Sequence, residues 1–170
     1  MKNLSLLLSL VLISFSVSAD KLEIKFALKY GMIKEKGLSA QEKFQLVKDL
    51  GYDGIEVNGP TGNREELKAA SEATGLPIHG VVCSTHWKLQ LSDPNPDTRA
   101  KGLEGFKQAI RDAKFYGASS VLLVPGKVTK NTSYEQCWER SIIEIKKALP
   151  LAKELNINIL LEKVWNDFLT

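Results

Sequence analysis

Glu162 ends an apolar run, and its type and place ask for a chemical explanation. A carboxylate at the end of an apolar strand is costly to bury unless a cation, a hydrogen-bond donor or water meets it. Taken by itself it leaves two readings open, an ion pair with a neighbouring lysine or a ligand to a metal ion. Glu56 and Asn58 lie two residues apart in an earlier short run, so in an extended chain both face one side, with Ile55 and Val57 on the other. A third run ends in Cys83, Ser84, His86 and Trp87. This cluster suits a sugar face: a Trp ring stacks on the CH side of a sugar, while His and Ser hydrogen-bond its hydroxyls. His86 is balanced between that role and an ordinary buried one. His79, inside the run, reads as a hydrogen-bonded interior residue rather than a ligand. Lys127, after Val124, Pro125 and Gly126, is either a solvated side chain or a cation for a phosphate or an enediolate oxygen.

The elements that must position these residues follow a repeating grammar. Strands are expected at 24–32, 54–58, 78–84, 120–125 and 157–162. Helices are expected between them: one from Ser39 with Phe44, Val47 and Leu50 on one face, and a second at about 64–74. A third carries Leu103, Phe106, Ile110 and Ala113, and a fourth carries Trp138, Ile142, Ile145, Leu149 and Ala152. Gly51, Gly75 and Gly117, with Asn156 at the fourth junction, suit the left-handed conformation that ends a helix. Strand, helix, strand repetition demands a parallel sheet, because the helix returns the chain to the same edge. No Gly-rich phosphate loop follows the first strand, which favours a barrel over a dinucleotide-binding sheet. In a barrel the loops after the strands form the active face. The polar strand ends above would then share one rim, with Glu56, Asn58, Leu160 and Glu162 pointing inward.

A closed barrel takes eight strands and about 250 residues, so five strands and four helices in 170 residues imply an incomplete one. The expectation is a (β/α)8 TIM barrel, α/β in class, cut short after its fifth strand and inactive on its own. Its unpaired strand edges would favour homo-oligomers. With 44% hydrophobic and 25% charged residues the composition is that of a globular domain, and a net charge of +3 argues for neither nucleic acid nor an anionic membrane.

Residues 1–19 read as a signal peptide: Lys2, an apolar run over 4–15, then Val17, Ser18 and Ala19 before a polar start at Asp20. The run is too short for the roughly 20 residues of a membrane span, so no span is expected after cleavage. The mature domain would be 20–170, exported to a periplasm or secreted. In such a compartment Cys83 and Cys137 could pair, yet nothing in the sequence fixes the distance between them, and free thiols are the simpler reading. A serine nucleophile elbow, a paired-cysteine zinc motif and a helical His pair are all missing, which sets common hydrolase readings aside.

Four phrases add a resemblance. Gly51-Tyr52-Asp53-Gly54-Ile55-Glu56-Val57, Val82-Cys83-Ser84-Thr85-His86-Trp87, Val121-Leu122-Leu123-Val124-Pro125-Gly126 and Ile159-Leu160-Leu161-Glu162-Lys163-Val164-Trp165-Asn166 occur in order at successive strand ends. Together they resemble the xylose isomerase-like barrel family, especially its sugar and sugar-phosphate isomerases and epimerases such as ketose 3-epimerases. The resemblance implies a divalent metal, usually Mn2+ or Mg2+ with Zn2+ or Co2+ as alternatives, held by two glutamates, an aspartate and a histidine. Glu162 would be the first of these ligands and one of the two groups that move a proton beside a carbonyl through an enediolate. The other ligands would lie beyond Thr170. Glu56, Asn58, Ser84, His86, Trp87, Lys127 and Asn166 are the candidate contacts to a sugar or sugar phosphate. Lys163 departs from the pattern, since relatives often carry a neutral residue there. Two alternatives share the fold: a non-catalytic exported sugar-binding barrel, and an endonuclease IV-like metal-dependent nuclease, which the small net charge and the export signal disfavour.

Overall fold

A computed structural model describes residues 24–168, so the expected leader lies outside the described residues. Its elements are β1 (Ala27–Lys29), a 3-10 turn (Tyr30–Met32), α1 (Ala40–Asp49), β2 (Gly54–Gly59), α2 (Arg64–Thr74), β3 (Ile78–Cys83), α3 (Pro96–Tyr116), β4 (Ser120–Leu123), α4 (Tyr134–Leu155) and β5 (Asn158–Leu161). Local chemistry sets their ends. Ser39 and Glu42 cap α1 reciprocally, with the Ser39 amide donating to Glu42 at 2.8 Å and the Glu42 amide donating to Ser39 at 3.2 Å. Ser133 and Gln136 repeat the device at α4. Gly51, Gly75, Gly117 and Asn156 all take positive φ, as their places after helices required.

The five strands are parallel and ordered β1-β2-β3-β4-β5. The usual right-handed crossover between sequential neighbours puts successive helices on the same face, whereas a doubly wound sheet would reverse its order partway. The architecture is therefore a partial TIM barrel. Ile55, Val57, Val81, Val121 and Leu123 are fully buried on the helix-covered face, against Phe44 and Val47 of α1 and Phe106 and Ile110 of α3. Each such side chain contributes about 1.5–3 kcal/mol by leaving water. On the other face, Lys29 stands opposite Glu56, and Asn58, Val82, Leu122 and Leu160 form one row across four strands.

Two expectations need correcting. The first strand is shorter than 24–32, because the Phe26 amide donates to the Asp53 side chain at 2.8 Å and the chain winds into a 3-10 turn after Lys29. On α4 the buried residues are Cys137, Ser141, Glu144, Ala148 and Ala152. Of the stripe read from the sequence only Ala152 is among them. Trp138 and Leu149 are exposed, and Ile142 and Ile145 are half-buried. Polar groups can occupy the inner face because each is satisfied there: Ser141 donates to the Pro125 carbonyl at 2.8 Å, and Glu144 pairs with Arg99 and Lys147.

Candidate functional site

The C-terminal strand ends gather around an open cleft of about 740 Å³ lined by Lys29, Met32, Trp87, Glu162, Lys163, Val164 and Trp165. Lys29 comes from β1 and Glu162 follows β5, the two outermost strands of the sheet, so the sheet curls far enough to bring its edges to one cleft. Glu162 is anchored by its backbone, whose amide donates to the Leu123 carbonyl at 3.0 Å, while its side chain remains exposed. Trp87 and Trp165 present exposed rings, 51% and 88% accessible, which is the form a stacking surface takes.

Glu56 stands half-buried on the same face, and burial raises its pKa, with the negative charge of Glu162 adding to the rise and His79 and Lys29 opposing it. The two carboxylates are thus close enough to feel each other. His86 is buried, and its Nδ1 accepts the Val124 amide at 3.0 Å. That contact leaves the proton of the neutral ring on Nε2. Burial, with a smaller effect from the positive Lys29, lowers the pKa of His86 to about 4, so the ring is neutral at ordinary pH. It meets Trp87 edge to face, with centroids 4.9 Å apart.

The remaining sequence candidates fall elsewhere or are already engaged. Asn58 is exposed on the cleft side of β2. Ser84 spends its hydroxyl proton on the Pro60 carbonyl at 2.9 Å, which ties the ends of β2 and β3 together and leaves it only as an acceptor for a ligand. Lys127 is exposed away from the cleft lining, and its amide donates to Ser92 at 3.1 Å. Asn166 is a correction: it is buried, its amide group donates to the Gly126 carbonyl, and its side-chain oxygen accepts the Phe168 amide at 3.3 Å. These contacts hold the loop after β5 against the loop after β4, and the buried side chain is not part of the cleft lining. His79 is exposed at the opposite end of the sheet, beside Asp53, Gly54 and Pro77, not inside it. Cys83 and Cys137 are both free and buried.

Sequence reasoning missed Lys29. The signal was available: Lys29 lies between Leu28 and Tyr30, and by alternation must face away from the side on which those two pack. Among the described residues no three His, Cys, Asp or Glu side chains gather as a metal site.

A sequential parallel sheet of five strands with polar residues at its C-terminal rim is the layout of a partial (β/α) barrel. The family model described as xylose isomerase-like TIM barrel matches residues 44–170, and the chain belongs to that family. It is 49% identical over 86 residues to 3-dehydro-D-guloside 4-epimerase of Escherichia coli (strain K12), covering 48% of this chain and 31% of that protein. It is 30% identical over 88 residues to the protein named "Probable endonuclease 4" of Campylobacter concisus (strain 13826), covering 52% of this chain and 31% of that one. The crystal structure of apo 3-keto-D-glucoside 4-epimerase from E. coli superposes with a TM-score of 0.71 at 19% identity, over 85% of this chain and 57% of that one. That likeness speaks to the fold. The chain spans about a third of the length of these two curated relatives.

Proposed function

We propose that the protein is an exported sugar isomerase or epimerase that moves a proton beside a carbonyl through an enediolate, on a sugar or sugar phosphate bound at the C-terminal rim. The observation that carries the reading is the placing of Glu162 in one cleft with Trp87, Trp165 and Lys29. A carboxylate positioned beside a stacked sugar can take a proton from the carbon next to the carbonyl, and a nearby hydrogen-bond donor stabilises the oxygen that becomes negative. The epimerase relative agrees with this chemistry. Glu162 would also be one ligand of a divalent cation, Mn2+ or Mg2+, whose other ligands lie outside the described residues; when bound, such an ion polarises the carbonyl.

The test is Glu162→Gln in the full-length protein, which keeps the size and removes the charge. Turnover, followed as proton exchange in deuterated water with a panel of ketoses and their phosphates, should fall by at least about a hundredfold. Manganese affinity by calorimetry should weaken as well. A variant with unchanged exchange and metal affinity would return Glu162 to a surface role, and an inert full-length protein would favour a sugar-binding barrel. Nicking of abasic DNA by the full-length protein would favour the nuclease relative's chemistry. Export is tested by mass spectrometry of the secreted or periplasmic protein, whose first residue should be Asp20; an intact leader in the membrane fraction would overturn it.

A further inference from the structure

Resting on the reading of the cleft as a sugar site, we infer that Ser92 is a positioning residue. From outside the cleft it sets Trp87 relative to Trp165, the two rings on which a sugar would stack. Ser92 is fully buried and is not part of the cleft lining. Its loop, 84–95, joins β3 to α3 and carries Trp87 near its start. Without a sheet or helix to pair its backbone, this loop needs other partners for its polar groups. The Ser92 carbonyl accepts an N–H of the Arg140 guanidinium on α4 at 3.3 Å. Arg99 of α3 donates to the next two carbonyls, Asp93 at 2.8 Å and Pro94 at 3.2 Å. Arg99 is held in turn by the buried Glu144 of α4, 3.5 Å away. Two arginines from two helices thus fix three successive carbonyls. A buried ion pair returns little stability against its desolvation cost, so what this one secures is the place of the loop.

The Ser92 hydroxyl makes a second join, to the loop after β4. Its oxygen accepts the Lys127 amide at 3.1 Å, and the two loops are so close that a Cβ on Gly126 would lie 3.0 Å from that of Ser92. The segment 124–128 is also caught at its start by His86, whose ring accepts the Val124 amide and meets Trp87 edge to face. On its far side Asn166 donates to the Gly126 carbonyl, and the Asn166 carbonyl accepts the Val128 amide at 3.2 Å. Asn166 follows Trp165 in the chain. Contacts therefore run without a break from the loop of Trp87, through 124–128, to the loop of Trp165. Removing the Ser92 hydroxyl takes away one of the two side-chain hydrogen bonds that join the first two loops among the described residues. Trp87 then gains freedom that a bound sugar must remove again, which weakens binding without touching the group that moves the proton.

The test is made on the full-length protein with a ketohexose and its terminal phosphate, turnover being followed as proton exchange. Ser92→Ala cuts the tie to the loop after β4, and Arg140→Gln cuts the tie to α4. In each, KM should rise about threefold to tenfold, the size of one lost hydrogen bond, with kcat within about twofold of wild type. Arg140→Lys, which keeps a cationic donor, should recover part of the loss. In a Trp87→Ala background Ser92→Ala should add nothing to KM, because it acts through that ring. With Trp138 and Trp165 replaced by Phe, Trp87 emission should be quenched more readily by acrylamide once Ser92→Ala is added. A Ser92→Ala protein that melts earlier yet keeps wild-type KM and quenching has lost stability alone, which overturns the inference and leaves the sugar reading intact. A KM effect of equal size with and without Trp87 overturns it too. If Trp87→Ala itself leaves KM unchanged, or if wild type exchanges a proton with neither sugar, the sugar reading fails and this inference fails with it.

Discussion

His86 shows how one backbone contact decides what a side chain can do. The Val124 amide donates to Nδ1, so protonating the ring would set two donors against each other in a buried place. A base whose pKa falls from 6.5 to about 4 on folding binds fewer protons folded than unfolded between those values. Its stabilising contribution is therefore complete above the unfolded value and is lost as pH falls through that window, by up to about 3 kcal/mol. Urea unfolding followed from about pH 7 to pH 4 should show the midpoint falling, with ring nitrogen shifts reporting the proton on Nε2. A flat profile would show that the ring is not held neutral. Glu162 should behave in the opposite way. It is exposed, so Glu162→Gln should leave the melt within about 0.5 kcal/mol of wild type while turnover collapses, which separates a chemical residue from a structural one.

At the scale of elements, the site depends on how loops are pinned to the sheet. Gly102 of α3 faces the loop after β3, and a Cβ there would lie 2.2 Å from the Leu89 carbonyl oxygen. Backbone cannot move aside as a flexible side chain can, so Gly102→Ala should destabilise by about 1–3 kcal/mol and disturb Trp87 at the start of that loop. Gly62, with open space around it and no positive φ, is the contrast: Gly62→Ala should be neutral or stabilise by about 0.4–1 kcal/mol. Thermal melts of the pair check both. Asn166→Ala should strand the buried Gly126 carbonyl and Phe168 amide, at a cost of about 1–3 kcal/mol. A change in Trp165 emission would show that the loop carrying Lys163 and Trp165 had loosened. An unchanged melt would mean that water replaces the Asn166 contacts.

For the molecule as a whole, the curled sheet leaves β1 and β5 each paired on one side only within the described residues, and Leu160 and Leu161 are about half exposed. Trp138, Ile143 and Leu149 add exposed apolar surface on α4. Unpaired strand edges and apolar patches of this kind promote association. Residues 20–170 expressed alone should therefore scatter light as oligomers, and a monodisperse monomer with a cooperative melt would show that these edges are protected.

The amino-acid order by itself determined the elements, the parallel sheet and the rim on which the polar residues sit. Helix ends are local events: Ser39 with Glu42, Ser133 with Gln136, and Gly or Asn at the exits act within a few residues. Alternation along β2 likewise placed Glu56 and Asn58 opposite Ile55 and Val57 without knowledge of any partner. Contacts between distant segments were beyond such reasoning. Asn166 carries the same amide in a solvated loop as in a buried clamp, and only the approach of Gly126, 40 residues earlier, decides which it is. The inward face of α4 depends on which neighbours press on it, since its apolar residues spread wider than one stripe. The meeting of Lys29 with Glu162 and Lys163 depends on the curl of five strands, a property of the twisted sheet that no single strand encodes.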